Sequence, residues 1–269
     1  MGHSLKDNVA MVTGGADGIG EAIVRMLLNE GAKHVAILDI AEAKGQALRD
    51  ELNAKRRQFA SFIKCDVSNE EQLTAAYNAV VTQNGCIDLV VNNAGLCDEK
   101  PETYMKEIAV NFTAVISSSL KARQLMRADQ GGRGGTIINI ASTAALFLSP
   151  QLPVYCATKA GVLHFSNSLG METSYARTKV RVLAICFGRT DSKITRQTAF
   201  NCLDKEFEDS MLATLHSFEA QTAEVAAQGV AEAFKQGASG TAWLVARSRP
   251  AKNITNVLID MFSSLQDEI

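Results

Sequence analysis

The chain has 269 residues, of which 46% are hydrophobic and 21% are charged. Its 27 Lys and Arg residues nearly balance 29 Asp and Glu residues, for a formal net charge of −2. This balance excludes a general basic surface, so neither nucleic acid nor an anionic membrane is expected as a partner. No window reaches about 18 consecutive apolar residues, and the amino terminus has no apolar leader. We therefore expect a cytoplasmic protein.

The six cysteines do not point to a disulfide or metal site. No two of them form a CxxC pair, and none lies beside a His at metal-ligand spacing. Most lie in apolar stretches, where Cys behaves as a small hydrophobic residue. No metal is predicted.

Short apolar runs alternate with stretches of 3.6-residue periodicity, which is typical of βα units. Strands are predicted at 9–13, 34–39, 59–66, 89–92, 136–140 and 180–185. Helices are predicted at 19–29, 42–56, 69–83, within 101–129 and at 154–176, with Gly31 ending the first and Ser68 capping the third. Several strands lack apolar–polar alternation, as expected when helices cover both faces of a parallel sheet. The pattern predicts an α/β fold, a Rossmann-type doubly wound parallel sheet in three layers, forming a single domain over 1–269.

The segment 188–221 interrupts this alternation. Apolar residues lie among scattered charges at Ile194, Phe200, Leu203, Phe207, Met211, Leu212 and Leu215. An amphipathic insertion of this length is typical of a substrate-binding lid, which we predict here. The alternative is one or two helices that simply pack on the core.

A glycine-rich loop, Thr13–Gly20, lies between the first predicted strand and the first helix. Glycines let the backbone approach a pyrophosphate closely, and a helix N-terminus offers it free N–H groups. Asp39 ends the second strand, where its carboxylate can accept hydrogen bonds from both ribose hydroxyls and would repel a 2′-phosphate. No Lys or Arg occupies the loop or position 40, so NAD is predicted rather than NADP. The alternative for Asp39 is a strand-end cap.

A second candidate site contains a Tyr and a Lys. Tyr155 and Lys159 are four residues apart, so on a helix they share one face. An ammonium near a phenol lowers the tyrosine pKa from about 10, which makes Tyr155 a candidate general base for an alcohol proton while hydride leaves for a nicotinamide. Ser142 can hydrogen bond the substrate oxygen. Because Tyr and Lys at this spacing are also common on ordinary helix surfaces, the assignment depends on their occurring with the glycine-rich loop.

These motifs together resemble the short-chain dehydrogenase/reductase family, from about residue 6 to residue 235. The matching motifs are the glycine-rich loop, Cys65–Val67, Asn92–Gly95, Asn111, Ser142 and the Tyr155–Lys159 pair. The resemblance implies an oxidoreductase with a catalytic set of Asn111, Ser142, Tyr155 and Lys159. It implies cofactor-binding residues at Gly14, Asp17, Gly18, Ile19, Gly20, Asp39, Ile40, Asp66, Val67, Asn93, Ala94, Gly95, Tyr155, Lys159, Gly188, Thr190 and Ser192.

The resemblance also assigns roles. Lys159 would hold the nicotinamide ribose, and Asn111, by distorting its helix and binding a water, would link Lys159 to solvent. Thr190 and Ser192 would offer hydroxyls to the carboxamide. The family's usual Pro-Gly after the sixth strand is replaced here by Phe187–Gly188, which we expect to loosen the loop or reshape the pocket. A homodimer or homotetramer formed through the long helices is implied.

Within the family, Ala109–Ser118 and Pro153–Lys159 are similar to the NAD-dependent 15-hydroxyprostaglandin dehydrogenase-like members. Those members keep a Gln where this chain has Leu152. A Leu side chain cannot orient a substrate hydroxyl by hydrogen bonding, which argues against a prostaglandin as substrate.

The predicted pocket lining is apolar, which favours a small lipophilic alcohol or ketone over a sugar. The lining residues are Ala144, Leu146, Phe147, Leu148 and Leu152, with those of 188–221; they are equally compatible with a core. Arg189, Lys193 and Arg196 either meet a carboxylate or form a solvated face, and we favour the solvated face. The sequence predicts an NAD-dependent alcohol dehydrogenase. The alternatives are an NADH-linked carbonyl reductase with the same site and a non-catalytic cofactor-binding scaffold.

Overall fold

An eight-stranded sheet forms the centre of the computed structural model, which describes residues 2–55, 59–196 and 201–266. The strands are β1 Val9–Thr13, β2 His34–Asp39, β3 Ala60–Lys64, β4 Leu89–Asn92, β5 Gly135–Ile140, β6 Val180–Phe187, β7 Thr241–Val245 and β8 Lys252–Asn253. Their order across the sheet is β3-β2-β1-β4-β5-β6-β7-β8. All neighbouring strands are parallel except β7 and β8.

Helices cover both faces of the sheet. The α-helices are α1 Gly18–Asn29, α2 Glu42–Lys55, α3 Glu70–Asn84, α4 Tyr104–Ile108, α5 Ala114–Met126, α6 Pro153–Leu169, α7 Glu172–Thr178, α8 Glu208–Ser217, α9 Ala223–Gln236 and α10 Thr255–Gln266. Helices α1, α2 and α9 supply the core on one face, and α3, α5, α6 and α10 supply it on the other. The predicted three-layered α/β fold is confirmed.

The central strands explain why the sequence lacks apolar–polar alternation. All five residues of β1 are buried. Val12 belongs to the core on one face and Met11 to the core on the other, because successive strand residues point to opposite sides. The strand order reverses between β2 and β4 on either side of β1, and in such sheets ligands bind at the carboxyl ends beside that reversal.

Two predicted helix boundaries are wrong. The cap of α3 is Asn69, whose side chain accepts from the Gln72 N–H at 3.0 Å, whereas Ser68 donates to Asp66. The long helix predicted within 101–129 is present, as α4, a π-helical turn at Ala109–Thr113 and α5 in direct succession. The helix predicted over 154–176 is divided at Gly170, whose Cα hydrogen faces the backbone of Gly240 so closely that no side chain would fit.

The carboxyl-terminal part contains elements that are not among the predicted ones. After 188–221 come α9, β7, β8 and α10. None of the helices in the described ranges is both long and apolar enough to cross a membrane.

Candidate active site

The glycine-rich loop connects the carboxyl end of β1 to α1. Gly14 and Gly18 have φ values of 62° and 55°, which L-residues with side chains adopt rarely. A Cβ at Gly20 would collide with the carbonyl oxygen of Gly14, so the turn requires glycine there. Ile19 lies behind the loop and packs on the core. These residues form the narrow backbone cradle that the sequence predicts for a pyrophosphate.

Residues after β4 hold the glycine-rich loop in place. The Asn93 side-chain amide donates to the carbonyl oxygens of Thr13 at 3.0 Å and Gly14 at 3.1 Å. The backbone N–H groups of Asn93 and Ala94 both donate to Thr13 Oγ1 at 3.0 Å. Asn93 and Ala94 therefore form the wall that shapes the cofactor cleft.

Asp39 caps the end of β2 and also faces the cleft. Its Oδ2 accepts from the Ala16 N–H at 3.0 Å, and its Oδ1 accepts from the Ala41 N–H at 2.9 Å. A carboxylate has about four lone-pair positions, so these two bonds leave capacity for ribose hydroxyls. The strand-end cap and the ribose contact are thus compatible. Ile40 is 68% exposed beside it, which leaves its side chain accessible to an adenine ring.

A lysine near the adenosine end was not predicted. Lys44, in the first turns of α2, places its Nζ 2.5 Å from Oδ2 of Asp17, the residue that caps α1. The hydrogen bond with Asp17 raises the pKa of Lys44, and Asp39 adds to the effect. The loop and position 40 contain no Lys or Arg, but α2 brings Lys44 back to the same edge of the sheet.

The residues predicted to flank the adenine follow β3, and Asp66 already has partners there. Its Oδ1 accepts from the Ser68 N–H and hydroxyl at 3.0 and 2.7 Å, and its Oδ2 lies 2.7 Å from Lys106 Nζ. Val67 is buried and packs against the core below. These bonds fix the direction of the Asp66 carboxylate.

Asn111 lies in the π-helical turn, so the helix is distorted at this residue as predicted. The fully buried side chain accepts from the Leu96 N–H at 2.9 Å and donates to the Leu96 carbonyl oxygen at 2.8 Å. A Cβ at Gly95 would lie 3.3 Å from Asn111 Oδ1 and 3.6 Å from Lys159 Nζ. The loop after β4 therefore connects Asn111 to the Tyr–Lys site.

Lys159 is buried, and its ammonium donates to the Ile140 carbonyl oxygen at 3.0 Å. Its Nζ lies 5.7 Å from the centroid of the Tyr155 ring. Burial lowers the pKa of Lys159 to about 8, and the charge of Glu107 opposes that shift. The lysine is thus held at the base of the site.

The predicted lowering of the Tyr155 pKa is not found. Burial raises the pKa of Tyr155 above its ordinary value, Cys97 adds to the rise, and a hydrogen bond with the Ser142 side chain opposes it. The reason is that apolar residues enclose the phenol, so that loss of hydration disfavours the charged phenolate.

Ser142 follows β5 and completes the arrangement. Its Oγ accepts from the Ala144 N–H at 3.1 Å, which caps the short helix Thr143–Leu146. The same side chain lies beside the Tyr155 phenol and favours its ionised form, which lowers the pKa of Tyr155. The structure thus brings Ser142, Tyr155 and Lys159 together at the carboxyl edge of the sheet, beside the cradle. A hydroxyl or carbonyl oxygen entering there would meet both a serine and a tyrosine hydroxyl.

The turn after β6 differs from the prediction. Phe187 pairs with Val245 of β7 and is buried, so β6 extends two residues beyond its predicted end. The Gly188 N–H donates to the Val245 carbonyl oxygen at 2.9 Å. Thr190 donates its hydroxyl to Gly188 and accepts from Gln221, both at 3.0 Å, so the geometry does not favour its predicted bond to a carboxamide.

Ser192 instead faces the glycine-rich loop. Its Cβ is 3.7 Å from the position that a Cβ on Gly18 would occupy. It is therefore the better placed of the two predicted hydroxyls.

An apolar cluster covers Tyr155, and we call it the Tyr155 cluster. Its buried members are Cys97, Leu152, Cys202, Met211 and Leu215, packed against Tyr155, Ile194, Phe207 and Leu212. Most of these residues come from 188–221; Phe200 of that segment lies outside the described residues. The predicted lining is partly wrong, because Leu146, Phe147 and Leu148 are 40%, 44% and 99% exposed. Loop 146–148 projects outward, and Phe147 stacks on Phe218 there.

The three basic residues of 188–221 do not form a carboxylate site. Arg189 donates to the Phe218 carbonyl oxygen at 3.0 Å. Arg196 pairs with Asp191, and Lys193 is exposed. The solvated face that the sequence favours is consistent with these contacts. Among the described residues, no group of three or more His, Cys, Asp or Glu side chains could hold a metal ion.

Residues 8–201 match the family described as short chain dehydrogenase. The chain belongs to this family. It is 40% identical over 195 residues to 15-hydroxyprostaglandin dehydrogenase [NAD(+)] of Bos taurus, and the match covers 71% of each chain. It is 33% identical over 194 residues to alcohol dehydrogenase 1 of Ceratitis capitata, covering 71% of this chain and 73% of that one.

A solved structure of similar fold is the 3-ketoacyl-(acyl-carrier-protein) reductase from Brucella melitensis complexed with NADH. It is 26% identical with a TM-score of 0.76, and the match covers 91% of this chain and all of that one. The chain is therefore an enzyme-family member whose relatives include both dehydrogenases and reductases.

Two buried carboxyl groups of this short-chain dehydrogenase were not predicted. Glu99 and Glu107 are both fully buried beside the residues described above. Burial raises the pKa of Glu107 to about 7, and its Oε2 accepts from the Asp98 N–H at 2.7 Å. In the sequence, Glu99 lies in a charged run that resembles a solvated loop. The sequence feature that could have indicated a buried Glu107 is its position one helical turn before Asn111.

Proposed function

We propose that this chain is an NAD-dependent alcohol dehydrogenase that oxidises a secondary or primary hydroxyl of a lipophilic molecule. The observation that carries the proposal is the meeting of Ser142, Tyr155 and Lys159 under an apolar cluster and beside a glycine-lined cradle. Membership of an oxidoreductase family gives the reaction class.

NAD fits the residues present. The backbone cradle accepts only glycine at position 20, and Asp39 faces the ribose side. Relatives named for NAD(+) and a neighbour complexed with NADH support the same cofactor. NAD supplies the hydride acceptor when bound. The residues that would hold it are those of the loop 14–20, Asp39, Ile40, Asp66, Val67, Asn93, Ala94, Gly95, Lys159, Gly188 and Ser192.

Tyr155 is the proposed general base, and Ser142 orients the substrate oxygen. The Ser142 hydroxyl holds the alcohol where the Tyr155 oxygen can remove its proton. Lys159 supplies the positive charge that favours the phenolate as the reaction proceeds. Asn111 keeps the loop after β4 next to Lys159, which maintains the path for proton exchange.

The substrate class follows from the Tyr155 cluster. Its side chains are aliphatic, aromatic or thiol groups, so the hydrophobic effect favours a lipophilic substrate over a sugar. The segment 188–221, which supplies much of this cluster, is the proposed lid. Leu152 is buried in the cluster and offers no hydrogen bond, which argues for a hydroxyl other than that of a prostaglandin.

A carbonyl reductase is the second candidate. The same residues catalyse the reverse reaction, with Tyr155 as the acid. A 3-oxoacyl-[acyl-carrier-protein] reductase of Chlamydia muridarum is 33% identical over 196 residues, covering 71% of this chain and 78% of that one. A non-catalytic scaffold has less support, because Asn111, Ser142, Tyr155 and Lys159 are all present and three of them converge.

The test is a panel of aliphatic and aromatic alcohols with NAD⁺, measured by NADH absorbance. We expect kcat/KM to increase with the apolar area of the alcohol. The increase should be about tenfold for each 1.4 kcal/mol of binding free energy that the additional buried area contributes. Sugar alcohols are the control and should give none. NADH consumption with the matching ketones, combined with no NADH formation from any alcohol at alkaline pH, would support the reductase instead.

A further inference from the structure

Glu99 is a fully buried carboxylate that contacts the catalytic helix. It lies in the loop between β4 and α4, far in sequence from Tyr155. Its Oε1 accepts from the backbone N–H of Tyr155 at 2.6 Å, and its Oε2 accepts from that of Val154 at 3.2 Å. A buried carboxylate is costly unless hydrogen bonds compensate, so these two contacts are the reason that it can be accommodated here.

Helix α6 has no N-terminal cap of its own. Leu152 occupies the N-cap position and has no side-chain oxygen to accept from the first turn. The free N–H groups of a first turn need acceptors, and a negative charge there interacts favourably with the helix dipole. Glu99 supplies both, and one of the two N–H groups that it holds belongs to Tyr155 itself.

The backbone of Glu99 contacts the segment 188–221. Its N–H donates to the Asn201 carbonyl oxygen at 2.8 Å. On either side of this bond, Cys97 and Cys202 are both buried in the Tyr155 cluster. The same residue thus holds the start of the catalytic helix through its side chain and the proposed lid through its main chain.

We propose that Glu99 is a positioning residue that couples the placement of residues 201–217 to the alignment of Tyr155. The proposal rests on the assignment of Tyr155 as the catalytic base. The contacts of the Glu99 side chain are with backbone N–H groups of the catalytic helix, so it acts through Tyr155. Its effect is on the angle and position of the first turn of α6, to which general-base catalysis is sensitive because small displacements of a reacting group cost large factors in rate.

The experiment compares Glu99→Ala and Glu99→Gln with Glu102→Gln, which removes the same charge at an exposed position three residues away. Hydrogen–deuterium exchange is followed in peptides covering 153–158 and 201–217. NADH binding stoichiometry and affinity are measured by fluorescence, and kcat and KM are measured per NADH-binding site. Counting NADH sites separates a misaligned enzyme from a partly unfolded one.

We expect Glu99→Ala to increase exchange in both peptides and to lower kcat about 10- to 100-fold, with NADH affinity unchanged. Glu99→Gln keeps one acceptor oxygen and should lie between Ala and the wild type, which also provides the test if the Ala variant does not fold. Glu102→Gln should match the wild type. Unchanged exchange in 153–158 would contradict the positioning role, and increased exchange in 153–158 alone would contradict the coupling. Because exchange and NADH binding need no substrate, failure of the proposed alcohol oxidation would be recognised separately.

Discussion

The carboxylate of Asp39 has two functions: it fixes the backbone of the cofactor cleft, and it disfavours NADP. It accepts hydrogen bonds from two backbone N–H groups that shape the cofactor cleft, at Ala16 and Ala41. Its negative charge also disfavours a 2′-phosphate. Lys44 is close enough to Asp39 for their charges to interact. The preference between NAD and NADP therefore depends on two opposing effects, the repulsion of a 2′-phosphate by Asp39 and its attraction by Lys44.

Asp39→Asn should therefore weaken the preference for NAD⁺. The amide keeps one acceptor oxygen but removes the repulsion, so the ratio of kcat/KM for NAD⁺ to that for NADP⁺ should fall about 10- to 100-fold. The matched control is the double variant Asp39→Asn with Lys44→Ala, in which kcat/KM with NADP⁺ should increase less than in Asp39→Asn alone. Comparable kcat/KM for both cofactors in the wild type would contradict the role of Asp39.

At the residue scale, the sequence predicts the identity of the site better than its electrostatics. The glycine-rich loop, Asp39, Ser142, Tyr155 and Lys159 occupy neighbouring positions because each follows a strand or begins a helix at one edge of the sheet. The direction of the Tyr155 pKa shift was wrong, since it depends on side chains from 188–221 that enclose the phenol. Burial by distant segments is not encoded in local spacing.

Among the elements, α4 and the π-helical turn place a buried acid one turn before Asn111. Burial raises the pKa of Glu107 from an ordinary 4.5 to about 7, with Glu99 also raising it and Lys159 opposing it. At a pH below 4.5, Glu107 is protonated in both the folded and unfolded states. As the pH rises toward and through about 7, the unfolded state ionises first, so the wild type loses stability.

Glu107→Gln should remove that loss. The variant should match the wild type in thermal midpoint near pH 4.5 and become more stable than it above about pH 7. The measurement is the thermal midpoint by circular dichroism across this range. Glu102→Gln, at an exposed position in the preceding loop, is the control and should follow the wild type at every pH. A difference between Glu107→Gln and the wild type that stays the same at every pH would contradict this, because it would mean that the pKa of Glu107 is the same in the folded and unfolded states.

Helix ends that depend on local sequence were predicted correctly. Helix ends that depend on contacts with distant residues were missed. Gly31 follows α1 with a φ of 93°, as its position suggests. The division of the helix predicted over 154–176 arises from contact of Gly170 with Gly240, 70 residues later in the sequence. Similarly, the side chain of Asn111 bonds to Leu96 across the loop after β4, and no helical periodicity shows that contact.

For the whole molecule, six of the eight strands were predicted because each is a nearly continuous apolar run. β7 and β8 were missed: β7 follows the interruption by 188–221, and β8 has only two residues, both exposed. The expected homodimer or homotetramer stays a prediction. The reversal of strand order beside β1 is what places the glycine-rich loop next to Asn93 and, through the loop after β4, next to Lys159.

The central claim is that this arrangement oxidises an alcohol with Tyr155 as the base. The most direct test is Tyr155→Phe, which keeps the ring in its apolar surroundings and removes only the hydroxyl beside Ser142. We predict NADH binding close to that of the wild type and a loss of NAD⁺-dependent alcohol turnover of at least about 10²-fold. Turnover near the wild-type rate in this variant would contradict the account.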